Sequence, residues 1–231
     1  MQSKEDAIEC INSKKCLVNG VHALKISSEF SSDADIKIVE NKQYVGRGSE
    51  KLLFALEHFE VDVAKKTCAD FGSSTGGFTD VMLQRGASKV YAIDTAKGEL
   101  HWKLRKDQRV VVWEGMNVSV ITEFDEEIDF ISVDISLVSL VSILPIVKKF
   151  LSPNGDAIVL IKPQYEISSE LVPEELVPEG GVIGNEELEM KVCEKIVTFA
   201  RNLKFFPSDA VKSSLKGRSG NQEYLIHLRH E

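Results

Sequence analysis

From residue 49 onward the chain alternates between two hydrophobic rhythms. The stretch "GSEKLLFALEHFEV" sets Leu52, Leu53, Leu56 and Phe59 on one helical face, the spacing that lets a single stripe meet a core. Ser49 stands where an N-cap belongs, its hydroxyl able to accept from a free amide. Five β-type runs follow, "TCADFG", "KVYAID", "RVVVWEG", "DFISVDI" and "DAIVLIKP", with helical stretches after the first four. Apolar strands alternating with helices predict an α/β fold with a parallel sheet covered on both faces. "SPNG" at 152–155 predicts a tight turn into a strand over 156–162, and "NEELEMKVCEKIVTFARNL" a long amphipathic helix. The last stretch, "FFPSDAVKSSLKGRSGNQEYLIHLRH", predicts two β segments joined by a glycine-bearing loop. They suit an antiparallel pair at the sheet edge.

The first forty or so residues follow another pattern. Residues 3–18 hold Ala7, Ile8, Ile11 and Cys16 at helical spacing, and short β segments then flank an Asn-Gly turn at Asn19 and Gly20, a strong hairpin signal. The polar joint "NKQYVGRG" predicts a domain boundary, giving a small α+β domain over 1–42 and the main domain over 43–231.

Composition narrows the classes. No apolar run among the 231 residues approaches the roughly 18–20 needed to cross a bilayer, and the N-terminus "MQSKEDAIECINSKK" has no apolar core of a signal peptide. Cys10, Cys16, Cys68 and Cys193 lack C-x-x-C spacing, which points to reduced thiols and a cytoplasmic protein. No H-E-x-x-H occurs, so no metal site is expected. The formal charge of −8 does not favour nucleic acid, yet net charge hides local patches. Lys97, Lys103, Arg105, Lys106 and Arg109 crowd one stretch and Lys204, Lys212, Lys216 and Arg218 another, while 166–184 is acidic. Solvated surface is the plain reading of all three.

Candidate chemistry begins at "DFGSSTGGFTD", residues 70–80. Gly72, Gly76 and Gly77 follow the first strand of the alternating region, where open α/β sheets bind ligands, and the next helix aims its N-terminus there. No Gly-Lys-Ser/Thr follows, which excludes a P-loop, and the G-x-x-x-G-G spacing fits a dinucleotide site poorly. Asp94 ends the second strand, 24 residues after Asp70, where an acid binds ribose hydroxyls. A nucleoside without a pyrophosphate, such as S-adenosylmethionine, suits this set. Asp134 and Lys162 are expected at the ends of the fourth and fifth strands, Glu223 at the start of the last and Lys51 in the helix before the first. All four can reach one crevice. Two lysines and two acids beside a sulfonium suit methyl transfer to a ribose 2′-hydroxyl, with Lys162 as general base and the acids orienting the lysines. Ion pairs at strand ends are the competing explanation.

These residues carry a family resemblance. The motifs "YVGRGSEKL", "DFGSSTGGFTDVMLQRGASKVYAID", "ELHWKLR", "SVDIS", "LIKPQYE", "EGGVI" and "KGRSGNQEYLIHL" make the chain similar to the TlyA/haemolysin A family, S4 domains joined to an FtsJ-like ribose methyltransferase. The resemblance implies a Rossmann-like S-adenosylmethionine-dependent fold, with 1–42 a truncated S4-like RNA-binding domain. It implies 2′-O-methylation of ribosomal RNA in ribosomal subunits, and a Lys-Asp-Lys-Glu tetrad falling on Lys51, Asp134, Lys162 and Glu223. It also implies cofactor contacts in the Asp70–Phe78 loop (Asp70, Gly72, Ser73, Ser74, Gly76, Gly77 and Phe78), at Asp94 and around Asn117. Two alternatives remain at this point: a non-catalytic RNA-binding or ribosome-assembly factor, and a membrane-active haemolysin.

Overall fold

The computed structural model describes residues 4–12, 16–23, 25–38, 44–167, 183–217 and 219–231. The chain divides into two compact units, Met1–Gln43 and Tyr44–Glu231. In the first, α1 (Lys4–Asn12) precedes β1 (Cys16–Val18), β2 (Val21–His22) and β3 (Ile36–Ile38), an antiparallel sheet ordered β2-β1-β3. Asn19 and Gly20 both take left-handed conformations between β1 and β2, at φ 51° and 82°, as the tightest hairpin turn requires. The helix is shorter than its hydrophobic spacing suggested. Cys16 belongs instead to β1, where it is buried with Val18 and Ala23.

The second unit runs α2 (Ser49–His58), β4 (Thr67–Phe71), α3 (Gly77–Gln84), β5 (Lys89–Asp94), α4 (Trp102–Arg105) and β6 (Val110–Glu114). It continues through β7 (Ile128–Val133), α5 (Leu140–Phe150), β8 (Leu151–Ile161), α6 (Pro163–Glu166) and α7 (Glu186–Asn202) to β9 (Phe205–Pro207), β10 (Val211–Lys212) and β11 (Tyr224–His230). The sheet order is β10-β11-β8-β7-β4-β5-β6, with β9 also paired to β11. Strands β4 to β8 are mutually parallel and β11 is antiparallel to its neighbours, a Rossmann-like arrangement. From β4 the chain moves outward through β5 and β6, then returns to β7 on the other side of β4. That reversal opens a crevice at the carboxyl ends of β4 and β7.

Every residue of β4 is buried, because both sheet faces are covered. On one face Leu52, Leu56, Val81 and Met82 from α2 and α3 meet Cys68 and Val90. On the other Ile143, Leu144, Val192 and Ile196 from α5 and α7 meet Ala69, Phe71 and Ile131. Successive strand residues point to opposite faces, so β4 serves both cores.

Several local expectations change. Gly48, not Ser49, precedes the first turn of α2, and the Ser49 hydroxyl donates to the Gly46 carbonyl at 2.7 Å. After β6 there is only a three-residue 3-10 turn, Val118–Val120. Residues 152–155 do not turn into a strand; they lie within β8, with a register shift against β7 between Ile128 and Phe130 and Asn154 at φ 61°, the signs of a bulge. Three β segments, not two, close the chain. Most of the acidic stretch 166–184, as well as Arg218, lies outside the described residues. No helix among the described residues is long and apolar enough to cross a membrane.

Asp70 sits in β4 at 0% exposure. Its carboxylate accepts from the Thr79 hydroxyl at 2.7 Å and the Ser132 hydroxyl at 2.9 Å, tying β4 to α3 and β7. Burial pushes its pKa up to about 6, against the lowering effect of those two bonds. Folded Asp70 therefore keeps a proton to about pH 6, whereas the unfolded chain releases it near 3.8. Its contribution favours folding at low pH and is lost as pH rises through that window. Urea titrations of Asp70→Asn and wild type across pH 4–7 should diverge. The variant is expected to gain on the order of 2 kcal/mol relative to wild type as pH rises. A constant difference would contradict this.

Candidate functional site

A cavity of about 550 Å³ opens at the switch point, within the second unit. One wall is the loop from Gly72 to Phe78 together with Gly46–Gly48. Gly72 has φ +89°, and a Cβ there would lie 2.7 Å from the Asp134 carbonyl oxygen. Only glycine lets the chain leaving β4 cross so close to the chain leaving β7. The Gly72 and Ser73 amides both donate to the Ile93 carbonyl, at 2.9 and 3.0 Å. Gly76, at φ +96°, presses against α4, where a Cβ would collide with Leu104. The loop is thus fixed from both sides before α3 begins at Gly77.

The opposite wall carries the charged residues. Asp134, Lys162 and Glu223 each lie one position beyond a strand end, and Lys51 is in the first turn of α2. Lys51 Nζ meets Glu223 Oε2 at 2.5 Å and Asp134 Oδ2 at 4.0 Å; Lys162 Nζ meets Asp134 Oδ1 at 2.5 Å. The charges alternate along a line, Glu223–Lys51–Asp134–Lys162, and all four residues border the cavity. Lys162 Nζ also donates to Ser136 Oγ at 2.8 Å. Behind it the buried Glu166 carboxylate accepts from the Ser139 hydroxyl at 2.6 Å and the Leu140 amide at 2.7 Å. Those two bonds fasten α6, which follows β8, to the start of α5, which follows β7.

The residues expected to hold a cofactor separate into two groups. Gly72, Ser73, Ser74, Gly77 and Phe78 line the cavity. Asp70 does not: it is fully buried and both carboxylate oxygens are taken by hydroxyls, so it braces the loop from below rather than touching a ligand. Gly76 is likewise turned into α4. Asp94 accepts from the Ser74 amide at 2.7 Å and the Ala96 amide at 2.8 Å and stands outside the lining. Each carboxylate oxygen keeps a further lone pair. Asn117 is exposed, its side chain accepting from the Ser119 amide at the start of the 3-10 turn, and it is not part of the wall.

Other contributors escaped the sequence reading. Ser136, Gln164 and Arg47 line the cavity, as does Lys216, which the sequence placed only in a basic surface stretch; Arg47 and Lys216 stand at the exposed edge. Ser136 follows Asp134 by two and Gln164 follows Lys162 by two. That spacing was visible, but serine and glutamine are common in loops and gave no reason to choose them. Of the basic stretch 97–109, Lys103 pairs with Asp80, Arg105 with Glu114 and Arg109 with Asp107. Much of that positive charge is spent internally. Two of the lining residues, Ser73 and Gln164, each carry a buried side-chain oxygen, Oγ and Oε1, with no hydrogen-bond partner. Such orphans are rare in folded proteins unless a ligand satisfies them.

The model of the FtsJ-like methyltransferase family matches residues 44–230. The 16S/23S rRNA (cytidine-2′-O)-methyltransferase TlyA of Mycobacterium tuberculosis is 35% identical over 232 residues, covering 99% of this chain and 85% of that protein. Hemolysin A of Brachyspira hyodysenteriae is 36% identical over 230 residues, covering 98% and 94%. A Lactococcus lactis protein of known structure superposes with a TM-score of 0.76 at 41% identity, over 83% of this chain and 90% of that one.

The charge line can be tested without a substrate. Lys51→Met leaves Glu223, 4% exposed, without its cation, and losing one partner of a buried pair costs roughly 3 kcal/mol or more. Urea unfolding should show that loss, and Lys51→Met combined with Glu223→Gln should recover a large part of it. Additive losses in the double variant would contradict the coupling.

Proposed function

The chain belongs to the FtsJ-like methyltransferase family, and from that premise we propose that it methylates the ribose 2′-hydroxyl of a cytidine in ribosomal RNA, with Lys162 as general base. It is an S-adenosylmethionine-dependent rRNA methyltransferase. The observation that carries the finer reading is the meeting of Lys51, Asp134, Lys162 and Glu223 in the wall that faces the glycine loop.

The cavity suits the cofactor. Gly72, Ser73, Ser74, Gly77 and Phe78 line one side of the cavity, and the buried Ser73 hydroxyl lacks a partner. S-adenosylmethionine supplies an electrophilic methyl group when bound there. A ribose hydroxyl is a weak nucleophile, so the protein must aim it and remove its proton. Lys162 Nζ, held by Asp134 and Ser136, receives that proton as the oxygen forms its bond to carbon. Lys51 contacts both Glu223 and Asp134, which fixes the carboxylate that positions Lys162 Nζ at the cavity. Closure of distance and angle between the two reactants accounts for much of the acceleration. Arg47 and Lys216, exposed at the cavity edge, are suited to the phosphates flanking the target, since phosphate contacts dominate RNA affinity. We assign the partner as a ribosomal subunit, the compartment as the cytoplasm, and residues 1–42 as an S4-like RNA-binding domain.

Incubation with radiolabelled S-adenosylmethionine and ribosomal subunits should label RNA. Lys162→Ala should lose at least about 100-fold in rate while binding the cofactor as tightly as wild type. Equal label from both proteins would end the general-base assignment. Asp94→Ala should weaken cofactor affinity about tenfold, the worth of one or two hydrogen bonds, with an unchanged circular dichroism spectrum. Calorimetry giving the wild-type affinity would remove Asp94 from the cofactor site.

A further inference from the structure

Gly217 lies in the loop between β10 and β11 and borders the cavity. A Cβ built on it would stand 2.6 Å from Glu223 Oε1 and 3.3 Å from Glu223 Cδ. We propose that Gly217 is a positioning residue for methyl transfer, its missing side chain leaving the space in which the Glu223 carboxylate turns to Lys51. The proposal rests on the reading of the cavity as a ribose 2′-O-methylation site.

The backbone itself does not demand glycine here. The φ of Gly217 lies outside the left-handed region, so the chain would admit an alanine. What forbids one is the group opposite. Contact with the tip of a long side chain is ordinarily cheap, because the tip moves aside. The Glu223 tip has no such freedom: Oε2 is on Lys51 Nζ at 2.5 Å, and the side chain is 4% exposed.

Both main chains are tied down as well. The Glu223 carbonyl accepts from the Ser213 amide and from Gln222 Nε2, each at 2.8 Å. Its neighbour Tyr224 pairs with Ile161 of β8, and the tyrosine hydroxyl donates to the buried Glu189 carboxylate at 2.6 Å. On the other side, the Gly217 amide donates to the Asn221 carbonyl at 2.9 Å, and the Gly217 carbonyl accepts from the Gly220 amide at 3.0 Å. An added methyl is therefore accommodated by the carboxylate, as extra bulk in a filled site displaces side chains. The carboxylate swings off Lys51. Lys51 then has Asp134 alone, 4.0 Å away, and its pull on that acid competes with Lys162. One methyl group at the far end of the charge line thus disturbs the amine that takes the proton.

The test is a double-variant cycle on the full chain, with ribosomal subunits and radiolabelled S-adenosylmethionine. Gly217→Ala should lower kcat at least about tenfold, as small misplacements of reacting groups do. Its KM for subunits, and its cofactor affinity by calorimetry, should stay near wild type. In the Glu223→Asp background, where the carboxylate is one carbon further from Gly217, the same alanine should cost about twofold at most. Urea unfolding reads the same cycle without turnover: Gly217→Ala should lower the midpoint beside Glu223 and barely change it in Glu223→Asp. Equal losses in the two backgrounds overturn the positioning role and leave ribose methylation standing. So does a raised KM with kcat unchanged, which assigns the glycine to RNA entry, or lost cofactor binding, which assigns it to the fold. Absence of ribose methylation by wild type on any subunit overturns both readings.

Discussion

Four charges share the carboxyl end of this sheet, and their alternation is the constraint on which the rest depends. Taken singly, each would be costly where it lies: Glu223 is 4% exposed, Lys162 8% and Lys51 12%. A buried ion is tolerated when paired and hydrogen-bonded, and here each lysine has a carboxylate within 2.5 Å. The order Glu223–Lys51–Asp134–Lys162 leaves the terminal amine, not a carboxylate, at the end shared with Ser136. On the proposed reading, that places Lys162 where the base for a ribose hydroxyl would stand.

The sheet topology is what lets residues 172 positions apart, Lys51 and Glu223, meet. The reversal of strand order at β4 brings the exits of β4 and β7 side by side, and Gly72 permits the two chains to pass in contact. The antiparallel β11 then enters from the far side, so its first neighbour, Glu223, sits opposite the last residues of β8. Asp70 and Glu166 do related work below the surface: one joins β4 to α3 and β7, the other joins the loops after β7 and β8. Neither needs to touch a ligand to set the geometry of the groups that do.

Much of this was legible in the sequence. The four charges could be picked out because each was expected at or near a strand end opening on one crevice, and the structure brings them together there. The parallel sheet followed from the alternation of runs, and the hairpin at Asn19-Gly20 from its turn chemistry. What failed did so for tertiary reasons. Asp70 looks ligand-facing beside the glycines, yet β4 is sandwiched between two helical layers and its hydroxyl partners come from α3 and β7. Residues 152–155 resemble a turn, but pairing of Leu151 with Ile128 holds them in β8 as a bulge. Ser136 and Gln164 became visible only through what they touch or fail to touch, which no spacing rule encodes.

The account stands or falls on which atom receives the methyl group. Ribosomal RNA treated with the protein and S-adenosylmethionine, then digested to nucleosides, gives that answer by mass spectrometry. The account predicts new 2′-O-methylcytidine, with the added mass on the sugar fragment and resistance to alkali at the modified linkage. Methylation found on the base fragment would contradict it, because the lysine-terminated charge line would then have no hydroxyl proton to take.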